Sequence, residues 1–273
     1  MEVRLGMFTT AFDASGTDGT PILTVAGFVS SAQHWDEFSV LWEERLSKDD
    51  LQYFRAAECA HSTGQFDGWK GSEIRRRDLL KDLMDILTSH VYRQFGCTIV
   101  NEDFEKLSGP LKNQYILTAY SLAGRTCEKD VREWARWAEK IKTRIEMVFE
   151  EGDADSNSLR KRFVDDLGYE PIFRPKKDKI LADGSVVKRF VPLQAADWLA
   201  YELSLAAKKY CIGPLSGKLG PISDLRWPMQ QFMNIQGVPG IYAAEEIEEV
   251  EKKLKLLGEL TNWARSHNLL GAE

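Results

Sequence analysis

Apolar residues recur along this chain with two periods, one of strands and one of helices. Near the N-terminus an apolar run ends on Thr9-Thr10-Ala11-Phe12-Asp13-Ala14-Ser15-Gly16, Thr17-Asp18-Gly19 supply a turn, and a second run extends from Pro21 to Val29. That pattern predicts strand, hairpin, strand, with Asp13 late in the first strand where a sheet edge opens. Ser30 and Ser31 then stand where helix caps stand, and Trp35, Phe38, Leu41, Trp42 and Leu46 follow at helical spacing. Leu51 to Arg55 is a short extended segment. A second amphipathic helix is predicted from Ser72 to Ser89 with Ile74, Leu79, Leu80, Leu83, Met84 and Leu87 inward, and a strand from Tyr92 to Val100.

Further along, Pro110 to Arg144 has helical spacing, with a break expected between Thr126 and Asp130 and a face of Trp134, Trp137 and Ile141 beyond it. Ile145 to Asp153 is a strand ending in an acidic cluster, and Ser158 to Asp166 is a basic helix. Ile172-Phe173 and Val186-Val187 flank a lysine-rich loop with a hairpin-like tip at Asp183-Gly184. Leu193 to Lys209 is a helix apolar almost all round, and Gly213 to Gly240 is Gly- and Pro-rich and loop-like. From Ala243 an amphipathic helix places Ile247, Val250, Leu254, Leu257, Leu260 and Trp263 on one face, acids early and lysines later, as the helix dipole favours. Strands alternate with helices without a shift in composition, so the expectation is one α/β domain over 1–273 with a mixed sheet flanked by helices, carrying a C-terminal helical extension from about residue 213.

Composition narrows the classes. With 273 residues, 43% hydrophobic and 29% charged, the chain has the make-up of a globular protein able to bury a core. No apolar run reaches the roughly 20 residues of a membrane span. Met1-Glu2-Val3-Arg4-Leu5 has no basic, cleavable leader pattern, so a cytoplasmic location is expected. The cysteines Cys59, Cys97, Cys127 and Cys211 form no C-x-x-C pair and read as buried or bystander thiols. Net charge is −6, so no global basic field points to nucleic acid. Local basic runs at Arg75-Arg76-Arg77, Arg160-Lys161-Arg162, Arg174-Pro175-Lys176-Lys177 and Lys188-Arg189 are either solvated faces or the rim of an acidic site that holds phosphates.

The candidate chemistry is carboxylate chemistry. Asp13 is either a turn-former or a metal ligand. Asp197 shares a face with Leu193, Ala200 and Tyr201 on the most apolar helix, so burial demands a partner, whether an arginine, backbone or a metal. Glu150, Glu151 and Asp153 end a strand, and alternation puts Glu150 and Glu151 on opposite faces, Glu150 with Glu146 and Val148. They form either a ligand cluster or an acidic loop. Asp13, Glu150 and Asp197 together make a set of hard oxygen ligands suited to Mg²⁺ or Mn²⁺, and such ions activate water in phosphodiester hydrolysis. Gly213 to Leu219 lacks the spacing and the hydroxyl of a phosphate loop.

Three stretches carry a family likeness. Asp13-Ala14-Ser15-Gly16, the acidic strand end Phe149-Glu150-Glu151-Gly152-Asp153, and Leu193-Gln194-Ala195-Ala196-Asp197-Trp198-Leu199-Ala200-Tyr201 resemble the signatures of the DUF3800 family over residues 7 to 210. Ala14 stands where that family commonly has Glu. The resemblance implies a ribonuclease H-like fold and a metal-dependent nuclease or phosphodiester hydrolase. Asp13, Glu150, Asp197 and Glu58 would then be catalytic, Asp13, Glu150, Asp197 and Asp153 metal-binding, and the basic runs a hold on RNA or DNA. Glu58 is either a further ligand or a helix cap, and a non-catalytic binding module on the same fold is the alternative.

Overall fold

The computed structural model describes residues 8–16, 19–137, 145–153, 155–210, 222–237 and 239–266. Among these, β1 (Phe8–Ser15) and β2 (Ile22–Ser31) form the expected hairpin, and β3 (Arg93–Val100) pairs antiparallel with β2. Three strands run parallel to their neighbours: β4 (Glu146–Glu150) beside β1, β5 (Ile172–Arg174) beside β4, and β8 (Gly240–Tyr242) beside β3. The sheet order is β5-β4-β1-β2-β3-β8, and β6 (Lys179–Ile180) and β7 (Val186–Val187) form a separate two-stranded arm. The fold is α/β, a mixed sheet flanked by helices.

Each face of the sheet has its own apolar layer, because successive strand residues alternate. On one face, Ala11, Ala26 and Phe28 pack with α1 (Ala32–Ser47), α3 (Glu73–His90) and α8 (Pro192–Tyr210). On the other, Phe12, Val25, Cys97 and Phe149 pack with α6 (Ala119–Trp137), α7 (Ser156–Leu167) and α10 (Ala244–Ser266). Short helices α2 (Ala56–His61), α4 (Asn101–Glu105), α5 (Gly109–Gln114) and α9 (Trp227–Phe232) fill the connections. Ser31 caps α1 by accepting from the His34 amide at 3.2 Å, as its position predicts.

Several expectations need correction. The helical stretch from Pro110 breaks at 115–118, not between Thr126 and Asp130. Ile116 adopts φ +49°, and Thr118 and Ser121 then cap one another reciprocally at 2.9 and 3.1 Å to start α6. Thr126 bonds back to the Leu122 carbonyl and is mid-helix. Ile74 is 69% exposed because it lies in the first turn of α3, ahead of the buried stretch from Leu79 to Leu87. Leu41, adjacent to Trp42 and so about 100° round α1, is exposed. In α10, Ile247 and Leu254 are buried but Leu257 is exposed.

The segment from Gly213 to Gly240 is not all loop, since it contains α9, opened by Pro228, and the first residue of β8. The C-terminal extension therefore contributes a sheet strand as well as a helix. Val186-Val187 pair with Lys179-Ile180 rather than with Ile172-Phe173, so the arm is its own hairpin. Cys59, Cys97 and Cys127 are buried free thiols. Cys211, the side chains of Trp137, Leu260 and Trp263, and Ile141 to Arg144 fall outside the described residues. Among the described residues no helix is long and apolar enough to cross a membrane.

Candidate functional site

The site begins with sheet register. Asp13 lies inside β1, opposite Ala26 of β2, and β1 is flanked by β4 on its other side. Its carboxyl is therefore fully buried rather than at an open edge, which corrects the expected placement. Oδ1 accepts from the Ala14 amide at 2.7 Å, so the side chain does not cap the hairpin turn. The Phe12–Phe149 pairing sets Glu150, one residue on, beside Asp13, on the face shared with Glu146 and Val148. Ala14 points to the opposite face, against the second apolar layer, away from Asp13. Gly16 closes the D-A-S-G stretch with φ +87°, where a Cβ would stand 1.9 Å from the Ile22 carbonyl oxygen.

Asp197 reaches the same point from α8, which lies across β1 and β2. Its neighbours Leu193, Ala196 and Ala200 are buried, so the helix is anchored by apolar contact and Asp197 is carried in with it. One oxygen, Oδ2, accepts from the Ala56 amide at 2.7 Å, which satisfies an otherwise free N–H of the first turn of α2.

Between these acids sits an ammonium. Lys176 Nζ lies 2.8 Å from Asp13 Oδ2, 2.9 Å from Glu150 Oε2 and 2.8 Å from Asp197 Oδ1. The lysine is 8% exposed, and its backbone is pinned: its carbonyl accepts from Gln194 Nε2 at 3.2 Å, and the preceding Pro175 carbonyl accepts from the Phe190 amide at 2.8 Å. Gln194 Oε1 also accepts from Trp42 Nε1 and the Phe54 amide, so one buried amide ties α8, α1 and the Lys176 segment together.

Burial sets the electrostatics. It pushes Asp13 up to about 7, with Glu150 adding to the rise and Lys176 opposing it. Burial also raises Asp197, again against Lys176. For Lys176 burial alone would lower the pKa, but the three carboxylates reverse that and hold it well above its ordinary value. Asp153 is raised to about 6 by burial and by the charge of Asp13, and its buried Oδ2 has no hydrogen-bond partner. Tyr120, buried against this acid, is pushed well above its usual range by burial first and by Asp153 and Asp13 next. Glu58 stands apart on α2 as a rim residue. Its carboxylate takes the Tyr53 hydroxyl at 3.3 Å and Lys177 Nζ at 3.7 Å, and has no contact with Lys176.

The structure thus brings Asp13, Glu150 and Asp197 to one atom, sets Asp153 against Tyr120 within reach of the charge of Asp13, and leaves Glu58 at the edge. Lys176 and Tyr120 are the members that sequence reasoning missed. Lys176 sits in the run Pro175-Lys176-Lys177-Asp178-Lys179, which looks like a solvated charged face, and Tyr120 looks like a core aromatic. The other basic runs have local partners. Arg75 pairs with Asp49, Arg76 with Glu73, Arg160 with Glu170 and Arg162 with Asp166. Arg174 differs: the β4–β5 register sets it beside Glu150. It lines a groove of about 350 Å³ with Lys188, Arg189, Thr9, Glu146 and Val148, which runs along the same sheet face.

No protein-family profile matches the chain, and no curated protein matches it.

Proposed function

We propose that the protein is a divalent-metal-dependent phosphodiester hydrolase acting on nucleic acid in the cytoplasm, on a ribonuclease H-like sheet of the kind its DUF3800-like signatures imply. The observation that carries this reading is convergence. Asp13 meets Glu150 and Asp197, both more than a hundred residues further along the chain, at one buried point, and Asp153 lies close enough to feel the charge of Asp13. If all four carboxylates are ionised, one ammonium leaves a formal charge of 1 − 4 = −3, and burying that without a further cation is costly.

The donor set is all oxygen, the chemistry that hard Mg²⁺ or Mn²⁺ prefers. As they stand, the oxygens keep ammonium spacing, 2.8–2.9 Å, and among the described residues no group of three or more His, Cys, Asp or Glu is arranged to hold a metal ion directly. The residue types fit such an ion; their present spacing fits the lysine. Asp13, Glu150 and Asp197 would hold the metal, with Asp153 and Glu58 assisting, and a bound ion would supply water activation and charge stabilisation at the leaving oxygen. Arg174 in the adjoining groove suits a phosphate backbone, whereas Lys188 and Arg189 beside it are paired with Asp178 and Glu43.

The test is cleavage of labelled single- and double-stranded RNA and DNA with Mg²⁺ or Mn²⁺. Asp13→Asn and Asp197→Asn are expected to lose at least about 100-fold; unchanged activity would remove these residues from the mechanism. A second reading, a binding module without catalysis, has one observation of its own: Lys176 already engages every acid of the set. Calorimetry separates the two, because the module should bind no Mn²⁺ in an Asp13-dependent way.

A further inference from the structure

We infer that Lys176 is a resident counter-ion that a divalent cation must displace, so that this site binds metal by exchange. The inference rests on the metal reading above and adds how the ion gains entry. An ammonium has three N–H donors and no acceptor, and Lys176 meets three carboxylates, one oxygen from each. Two of these contacts, to Asp13 and Asp197, are hydrogen bonds, and the third, to Glu150, is an ion pair at 2.9 Å. The oxygens it occupies, Asp13 Oδ2, Glu150 Oε2 and Asp197 Oδ1, are those through which the acids face one another. Two of the remaining oxygens are committed elsewhere, Asp13 Oδ1 to the Ala14 amide and Asp197 Oδ2 to the Ala56 amide.

A cation bound by these acids therefore competes for the oxygens that hold the lysine. Sharing them would set a divalent ion against an ammonium at contact distance, where like charges repel strongly in a buried setting. The chain is built so that the ammonium can leave without unfolding. The Lys176 backbone is fixed by Gln194 Nε2 and its neighbour Pro175 by the Phe190 amide, so only the flexible side-chain stem has to swing. Flanking lysines on the same segment reach rim acids: Lys177 lies 3.7 Å from Glu58 and Lys179 2.6 Å from Glu151. The segment stays tethered while its central lysine exchanges.

The decisive measurement is amine acetylation of the wild-type chain, mapped by mass spectrometry, with and without Mn²⁺ and with KCl at matched ionic strength. Lys176 should be protected relative to the exposed Lys129, and saturating Mn²⁺ should raise its reactivity at least about tenfold where KCl does not. In parallel, Mn²⁺ binding is measured by calorimetry for the wild type, Lys176→Met and Lys176→Gln, and the lysine-free variants should bind at least about tenfold more tightly. Binding by a variant and not by the wild type also supports exchange. If Mn²⁺ binds the wild type while Lys176 stays protected, the exchange is wrong and the metal reading survives. If neither wild type nor variants bind Mn²⁺, the metal reading fails and takes the exchange with it. Should both variants fail to fold, the wild-type labelling with wild-type calorimetry decides: no Mn²⁺ binding and no change in labelling overturns the proposal.

Discussion

Replacing Gln194 by methionine isolates the element that holds the site in register. Gln194 is fully buried and makes three hydrogen bonds: Oε1 accepts from Trp42 Nε1 at 3.0 Å and the Phe54 amide at 2.7 Å, and Nε2 donates to the Lys176 carbonyl at 3.2 Å. Methionine keeps most of the volume and none of the bonds. Trp42 and Phe54 are themselves buried, so two donors and a carbonyl lose their partner away from water. Each such group costs about 1–3 kcal/mol, and local relaxation around the methionine offsets part of that, which places the loss at roughly 3–6 kcal/mol. With a urea m-value of about 3 kcal/mol/M, the unfolding midpoint should fall by about 1–2 M, read from tryptophan fluorescence, to which Trp42 contributes. Gln33→Met on the exposed face of α1 serves as control, since its one side-chain bond is to Glu37, and should shift stability by less than about 0.5 kcal/mol. A loss below about 1 kcal/mol for Gln194→Met would refute the claim that this amide anchors the Lys176 segment.

Other outcomes follow from the same physics. Glu202 is 3% exposed, has a buried Oε2 without a partner, and is raised from 4.5 to about 7 by burial, opposed by Arg226 at 3.2 Å. A raised folded-state pKa gives stability that is full below pH 4.5 and is lost as pH rises through about 7. Glu202→Gln should therefore gain on the wild type across that window, by up to roughly 3 kcal/mol at pH 8. Thermal melts from pH 4 to 8 check it, and parallel pH profiles would count against it. Gly16→Ala should cost about 1–3 kcal/mol, because φ +87° disfavours a side chain and the Cβ would strike the Ile22 carbonyl. Equal denaturation midpoints would show that the turn relaxes freely.

Strands and long helices were legible because their periodicity reports directly on which face is buried. The hairpin of β1 and β2, the helix α8 and the two-sided sheet all follow from that rule. Legibility failed where side-chain contacts decide. The start of α6 depends on Thr118 and Ser121 capping each other, a local choice that helical spacing from Pro110 onward conceals. At the site, alternation correctly put Glu150 on the face of Val148, where it meets Lys176. Partner identity was another matter. The sequence demands a partner for a buried Asp197, and nothing in the run from Pro175 to Lys179 singles out Lys176 among its lysines. That selection is made by the path of the chain between β5 and α8.

The distance along the chain between Asp13 and Asp197 also bears on biosynthesis. Ribosomes add about 5–20 residues per second, so the 197 − 13 = 184 residues between them take roughly 10–40 s to make. During that interval the β1–β2 hairpin can be complete while its most polar interior position has neither the lysine that neutralises it nor the helix that covers it. A nascent chain in this state has good reason to leave β1 hydrated. The sheet centre should therefore close only after α8 emerges, which makes the polar cluster a timer for burial of the core.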